Sequence, residues 1–260
     1  MKRLDITGLE NIDRSKPILF ASTHANSFYD AIILHLVFKR YVYALARGDA
    51  FKKPIVAKIL SCIHMLPVWR ITEGRSNMAK NAKTFDHCNE LFKQNKQVLI
   101  YPEGICKNQT SLLPLKKRGT AAMAFRAWNE GTDVQVVPVV LTYDSFKKFG
   151  KRINLNFGKP LQKESFDLSE EISFSKDFTA TLAEKMKPLF SFDFKPVGFW
   201  RNVLHYFGWL INFPLYLAID AFVKKKFGKT IFSDSIWFGV MYLTYPLYLL
   251  LLIFGLTRLF

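Results

Sequence analysis

Cysteine is scarce in this sequence, and carboxylates are few. The 260-residue chain has three cysteines, Cys62, Cys88 and Cys106, at irregular spacing. They frame neither a disulfide network nor a metal site, which suits a reducing compartment. His35, His64, His87 and His205 share no metal-ligand spacing either, so no metal is expected. Against 37 Lys and Arg stand only 21 Asp and Glu, a formal net charge of +16. Such a field attracts polyanions or anionic membrane surfaces and says little about fold. The basic–aromatic stripe of a nucleic-acid module is missing, and nucleic acid is not an expected partner. Internal repeats and low-complexity segments are missing too. Met1-Lys-Arg-Leu-Asp-Ile6 has no apolar signal-peptide core, so the body of the chain is expected on the cytoplasmic side.

One long stretch lacks charge altogether. Residues 236–257, IWFGVMYLTYPLYLLLLIFGLT, hold no Asp, Glu, Lys, Arg or His and exceed the roughly 20 apolar residues that cross a bilayer. Residues 203–223 are nearly as apolar but carry His205, Asn212, Pro214 and Asp220. Between them lie Lys224, Lys225, Lys226 and Lys229, a basic loop of the kind that prefers the cytoplasmic face and anionic lipid. Segment 203–223 therefore reads as interfacial or re-entrant, and 236–257 as a span or part of a shallow hairpin. A buried core helix is the plain alternative for each. Lys195-Pro196 divides this membrane-associated region, 196–260, from a first domain at 1–195.

The first domain alternates strand-like and helix-like stretches. Residues 17–23, 41–46, 66–70, 97–101, 134–142 and 152–157 are short, β-branched or aromatic, and bounded by polar turns. Residues 76–95 place Ala82, Phe85, Cys88 and Phe92 at helical spacing with Ser76 as a cap. Residues 119–130 form an Ala-rich helix stopped by Gly131, and a loose polar stretch at 159–176 precedes a last helix. The expected fold class is α/β, a mostly parallel sheet flanked by helices, followed by the hydrophobic helical segment. Ligands of such sheets bind beyond the carboxyl ends of the strands. His24, Arg70 and Glu103 all fall at that edge.

Three short motifs could carry chemistry there. In Ser22-Thr-His-Ala-Asn-Ser-Phe-Tyr-Asp30, a continuous helix would turn His24 and Asp30 about 600° apart, onto different faces. They meet only if His24 lies in a loop and Asp30 in the first helical turn. A carboxylate on one imidazole nitrogen leaves the other free as a general base. Equally, Ser27-x-x-Asp30 resembles a capping box with a purely structural Asp30. In Val98-Leu-Ile-Tyr-Pro-Glu-Gly104, Gly104 permits a tight turn or a close approach to ligand, and Glu103 is either a site carboxylate or an ordinary turn residue. Leu66-Pro-Val-Trp-Arg70, with Arg75 beyond it, offers guanidinium groups that can grip phosphate or merely sit in solvent. Lys116, Lys117 and Arg118 precede a helix N-terminus, a further anion site or a solvated cluster.

Taken in this order, the pieces resemble the glycerolipid acyltransferase family, the glycerol-3-phosphate and 1-acylglycerol-3-phosphate acyltransferases. The resemblance covers about residues 8–158. Gly8-Leu-Glu-Asn-Ile12 looks like the family's lead-in, His24 and Asp30 like its His/Asp motif, and 66–70 like its second block. Tyr101-Pro-Glu-Gly104 looks like its Phe-Pro-Glu-Gly block and Val137-Pro-Val139 like its fourth. Three departures stand out. Five residues separate His24 from Asp30 where the family commonly has four, and the fourth-spaced position holds Tyr29. Ile105-Cys106-Lys107 replaces a frequent Thr-Arg, which shifts phosphate binding toward Lys107 or Lys116. His64 stands where the second block usually opens on glycine.

The resemblance implies a membrane-bound acyltransferase of phospholipid biosynthesis. His24 would be the general base and Asp30 its orienting partner. Arg70, Arg75, Glu103, Gly104, Lys107 and Lys116 would serve the acceptor. It implies no resident cofactor, only acyl-CoA or acyl carrier protein as co-substrate and a glycerol-phosphate-type acceptor, with membrane lipid as partner. A non-phosphate lipid alcohol or amine as acceptor, or a catalytically silent module binding anionic lipid, are the alternatives.

Overall fold

The structure, a computed structural model, describes residues 1–38, 41–69, 79–115, 118–146, 150–228, 230 and 232–258. Seven strands form one sheet: β1 (Arg3–Thr7), β2 (Ile18–Ser22), β3 (Val42–Arg47), β4 (Met65–Val68), β5 (Gln97–Ile100), β6 (Gln135–Tyr143) and β7 (Arg152–Phe157). Their order is β1-β7-β6-β2-β5-β3-β4. The five strands from β6 to β4 run parallel. β7 pairs antiparallel with β6, and β1 pairs parallel with β7. The mostly parallel α/β sheet expected from the sequence is therefore present, with a reversed two-strand edge.

Among the described residues, the body also holds helices α1 (Phe28–Phe38), α2 (Pro54–Cys62), α3 (Lys80–Lys93), α4 (Gly119–Asn129) and α5 (Glu171–Met186). β2 and β6 are buried along their whole length, as strands covered on both faces must be. Alternation of side chains sends Leu19 and Ala21 to one face of β2 and Ile18 and Phe20 to the other. The first pair joins a core with Cys88 and Phe92 of α3, Ala124 and Trp128 of α4, and Phe178 of α5. The second joins Ile33, Leu34 and Phe38 of α1. Ala121, Ala124 and Ala127 are fully buried, and their small side chains suit the close approach of α4 to the sheet.

β1 and α2 have no counterpart in the sequence reading, and α5 starts earlier than read. β1 was not anticipated: Arg-Leu-Asp-Ile-Thr is half-exposed and charged, as suits an edge strand that resists pairing with other chains. α5 begins inside the stretch read as loose polar chain. Its charged first turn hides Phe174, Phe178, Leu182 and Met186, which share one buried face. The cap proposed at Ser76 lies outside the described residues.

Pro138 sits in the middle of central β6, where a missing N–H is usually excluded. Its carbonyl accepts from Gly158 just where β7 has ended, so that edge of the ladder has no partner strand to disappoint.

Beyond α5 the chain runs as a strap along β7 and β1. The strap carbonyls of Leu189 and Ser191 accept from Asn156 and Asn154, and that of Pro196 from Arg3. Three helices follow. α6 (Phe199–Ile211) and α7 (Phe213–Phe227) meet at Asn212 with a bend of 71°. α8 (Ser233–Thr257) is one helix despite Pro246. Its Ser233–Gly255 portion is long and apolar enough to cross a membrane. α8 packs on α7 through Trp237 and Tyr216, ring centroids 5.3 Å apart, and Tyr248 donates its hydroxyl to the Ile211 carbonyl. Leu204, Phe207 and Leu210 of α6 and Leu243, Leu247 and Leu250 of α8 lie exposed.

Candidate active site

β2 ends at Ser22, and the chain turns away from the sheet over five residues, Thr23 to Ser27, before α1. Thr23 anchors the turn: its N–H donates to the Val139 carbonyl and its Oγ1 accepts from the Leu141 N–H. His24 follows in the loop, with Asp30 in the first turn of α1. The His24 Nδ1 and Asp30 Oδ2 lie 3.1 Å apart. An ionised Asp30 can only accept, so Nδ1 carries the proton there and Nε2 is left as the basic nitrogen.

Between His24 and Asp30 the backbone turns sharply at Ser27. Its φ of 51° is left-handed, a conformation uncommon for a residue with a side chain. The kink lets Asp30 reach back. The carboxylate accepts the Asn26 N–H at 2.8 Å on the oxygen that also takes His24, and the Tyr143 hydroxyl on the other. Asp30 is thus both the loop's fastener and the imidazole's partner. The capping box read in Ser27-x-x-Asp30 does not form: the Ser27 N–H goes to Cys106 Sγ, and the Asp30 carboxylate takes the Asn26 N–H instead.

Asp30 is 1% exposed, whereas the His24 side chain keeps 20% of its surface open. Tyr101 stacks on the imidazole, centroids 3.7 Å apart and rings 16° from parallel. Burial, then Asp30, push the Tyr101 and Tyr143 phenols well above their ordinary value, so Tyr143 remains a donor across the working pH range.

Glu103 lies beneath the loop and is 3% exposed. It accepts the His24 backbone N–H at 3.1 Å, the Gln109 amide at 2.7 Å and the Leu113 N–H at 3.1 Å. Burial raises its pKa, and these three donors oppose the rise. Gly104 has a φ of 67°, and its N–H closes a tight turn onto the Tyr101 carbonyl. The same loop returns to His24, whose carbonyl accepts the Lys107 N–H at 3.0 Å. Lys107 itself is exposed. Glu103 is therefore committed to backbone and amide partners, and it joins the two loops rather than facing solvent.

Arg70, Arg75 and Lys116 lie outside the described residues. Trp69, just before Arg70, is clamped by Asn81 through both its N–H and its carbonyl. Cys106 accepts the Ser27 N–H at 3.2 Å, and burial and Asp30 push its thiol up to about 12. A thiol so held is no nucleophile. Among the described residues no cluster of His, Cys, Asp and Glu could hold a metal.

Sequence spacing could not have found Asn26, Tyr101 as a stacking partner, or Tyr143. Tyr143 ends β6 on the strand beside β2, and only the strand order puts it against Asp30.

What fold and site define is a class: an α/β protein with a carboxylate-backed imidazole, open on one side, at the carboxyl edge of its sheet. Within that class the chain belongs to the acyltransferase family, whose model matches residues 3–142. The chain is 30% identical over 140 residues to the chloroplastic 1-acyl-sn-glycerol-3-phosphate acyltransferase of Brassica napus, covering 54% of this chain and 37% of the relative. The corresponding enzyme of Arabidopsis thaliana is 29% identical over 140 residues, covering 54% and 36%. The match thus spans little more than a third of either relative. A crystal structure of the 1-acyl-sn-glycerophosphate acyltransferase of Thermotoga maritima resembles this backbone over 71% of this chain and 72% of that one. The TM-score is 0.45 at 17% identity, a likeness too distant to argue from.

Proposed function

We propose that the chain transfers a fatty acyl group from a thioester donor, acyl-CoA or acyl carrier protein, to a hydroxyl of a glycerol-phosphate-type acceptor such as glycerol-3-phosphate or a 1-acylglycerol-3-phosphate. The supporting observation is the His24–Asp30 pair, with Asp30 sealed from solvent and His24 partly open. Nε2 removes the acceptor's hydroxyl proton as its oxygen attacks the thioester carbonyl. The tetrahedral intermediate then collapses, the carbon–sulfur bond breaks, and the leaving thiolate takes the proton back from the imidazolium. Asp30 holds the ring and balances its charge while it is protonated. No acyl-enzyme is needed.

Glu103 and Gly104 shape the floor on which the acceptor rests. Arg70, Arg75, Lys107 and Lys116 supply positive charge for its phosphate. The name shared by the plant relatives, and family membership over residues 3–142, favour this acceptor class. The exposed apolar faces of α6 and α8 and the Lys224–Lys226 cluster suit a body held at the cytoplasmic face of a membrane.

The test is full-length protein in detergent, with labelled acyl-CoA and acyl carrier protein donors and glycerol-3-phosphate and lysophosphatidate acceptors, beside His24→Ala. Transfer by wild type that falls about 10²–10⁴-fold in the variant supports the reading. Wild-type transfer that survives His24→Ala refutes the base. Transfer to neither acceptor refutes the acceptor class.

A further inference from the structure

α8 begins at Ser233, and its first turn is neither in solvent nor free for a bilayer. Ser235 has no exposed surface, and neither has Asn26 of the His24 loop. The Ser235 Oγ donates to the Asn26 carbonyl at 2.6 Å. The Asn26 side-chain amide donates to Asp234 Oδ2 at 2.6 Å, and Lys151 donates to the other Asp234 oxygen at 2.5 Å. One turn further on, Phe238 packs edge-on against Tyr29, centroids 4.8 Å apart. Gly239 leaves room for Phe28, since a Cβ there would stand 3.2 Å from that ring.

Asn26 is held on every polar side. Its N–H goes to the Asp30 oxygen that also takes His24, its carbonyl to Ser235 and its amide to Asp234. The next residue is the left-handed Ser27, a conformation that persists only where its surroundings over-determine it. We infer that Asp234 and Ser235, at the head of the apolar helix, are positioning residues for the catalytic loop, with Lys151 fixing Asp234. They act through Asn26 on Asp30 and so on the aim of His24. All three lie beyond residues 3–142, which the family model matches. The membrane-associated helix is on this view part of the active site's scaffold as well as an anchor.

The inference rests on His24 being the base only for its kinetic consequence. The latch itself is read from loop exchange. Full-length wild type, Ser235→Ala and Asp234→Asn are compared in detergent, with Tyr248→Phe as a variant that loosens α8 far from the loop. In Ser235→Ala, kcat falls about 10- to 100-fold with both KM values unchanged, as expected when reacting groups lose aim rather than affinity. Hydrogen–deuterium exchange over residues 22–30 quickens while the melting temperature holds. Asp234→Asn keeps an acceptor for Asn26 but frees Lys151, and moves both readouts less. Tyr248→Phe moves neither. Unchanged kcat or unchanged loop exchange in Ser235→Ala overturns the inference. If wild type transfers no acyl group at all, the proposed reaction falls, and loop exchange alone decides the latch.

Discussion

Glu103 and Glu130 are the same residue at opposite ends of the parallel strands, and their fates differ. Glu103, at the carboxyl end, is buried, accepts only uncharged donors, and has its pKa pushed up by burial. Glu130, at the amino end, stands in solvent with Arg126 and Lys93 on its carboxylate, and its pKa is lowered to about 2. The amino end is laced with such exposed pairs, Lys16–Asp133 and Arg126–Asp86 among them. The carboxyl end instead buries Asp30, Asn26, Thr23 and Glu103 and gives each a fixed partner. Charge at one end is cheap and exchangeable. At the other it is costly, fully partnered, and therefore able to hold a reactive group still.

The comparison can be sharpened by experiment, and the largest effect belongs to the carboxyl end. Asp30→Asn keeps the shape but removes the charge that fixes the His24 tautomer, and kcat for acyl transfer should fall by about 10³–10⁴-fold. Next comes Glu103→Gln, read against pH. A carboxyl whose folded pKa is raised stabilises the fold below its unfolded value and loses that contribution as pH rises through the folded one. Denaturation midpoints of wild type relative to Glu103→Gln should thus decline as pH rises above about 4, the ordinary carboxylate range. The smallest effect belongs to Glu130→Gln. There the folded pKa is lowered, so the stabilisation is present above the ordinary carboxylate range and lost as pH falls through about 2. Because the group is exposed, the melting temperature at neutral pH should move by about 1 °C or less, and less still in high salt. A Glu130 effect as large as that of Glu103 would erase the distinction between the two ends.

Much of the fold was legible because buried strands write themselves as short apolar runs. β2, β3, β5, β6 and β7 fall within a residue or so of the stretches read from the sequence. β1 was illegible because an edge strand needs no such run; α2 was not read at all; and the start of α5 was hidden because its core contacts are diluted by a polar face. At the site, His24 and Asp30 stood out by order and spacing, and Glu103 by the Pro-Glu-Gly turn. The sequence could not show that Glu103 looks inward, nor that Ser27 adopts a left-handed backbone between His24 and Asp30. Least legible were Tyr143 and Ser235, since their contacts to Asp30 and Asn26 span 113 and 209 residues. No periodicity reports a contact at that range.

That last separation also orders events in time. A ribosome that has made Asn26 must add 209 more residues before the Ser235 hydroxyl exists. By then β2 through β7 have long been available to pair, so a nascent chain can own a folded sheet and a histidine without the clasp that aims it. On the proposed reading, full acyl-transfer rate would arrive only once the first turn of α8 is in place, so the order of synthesis would act as a safety catch.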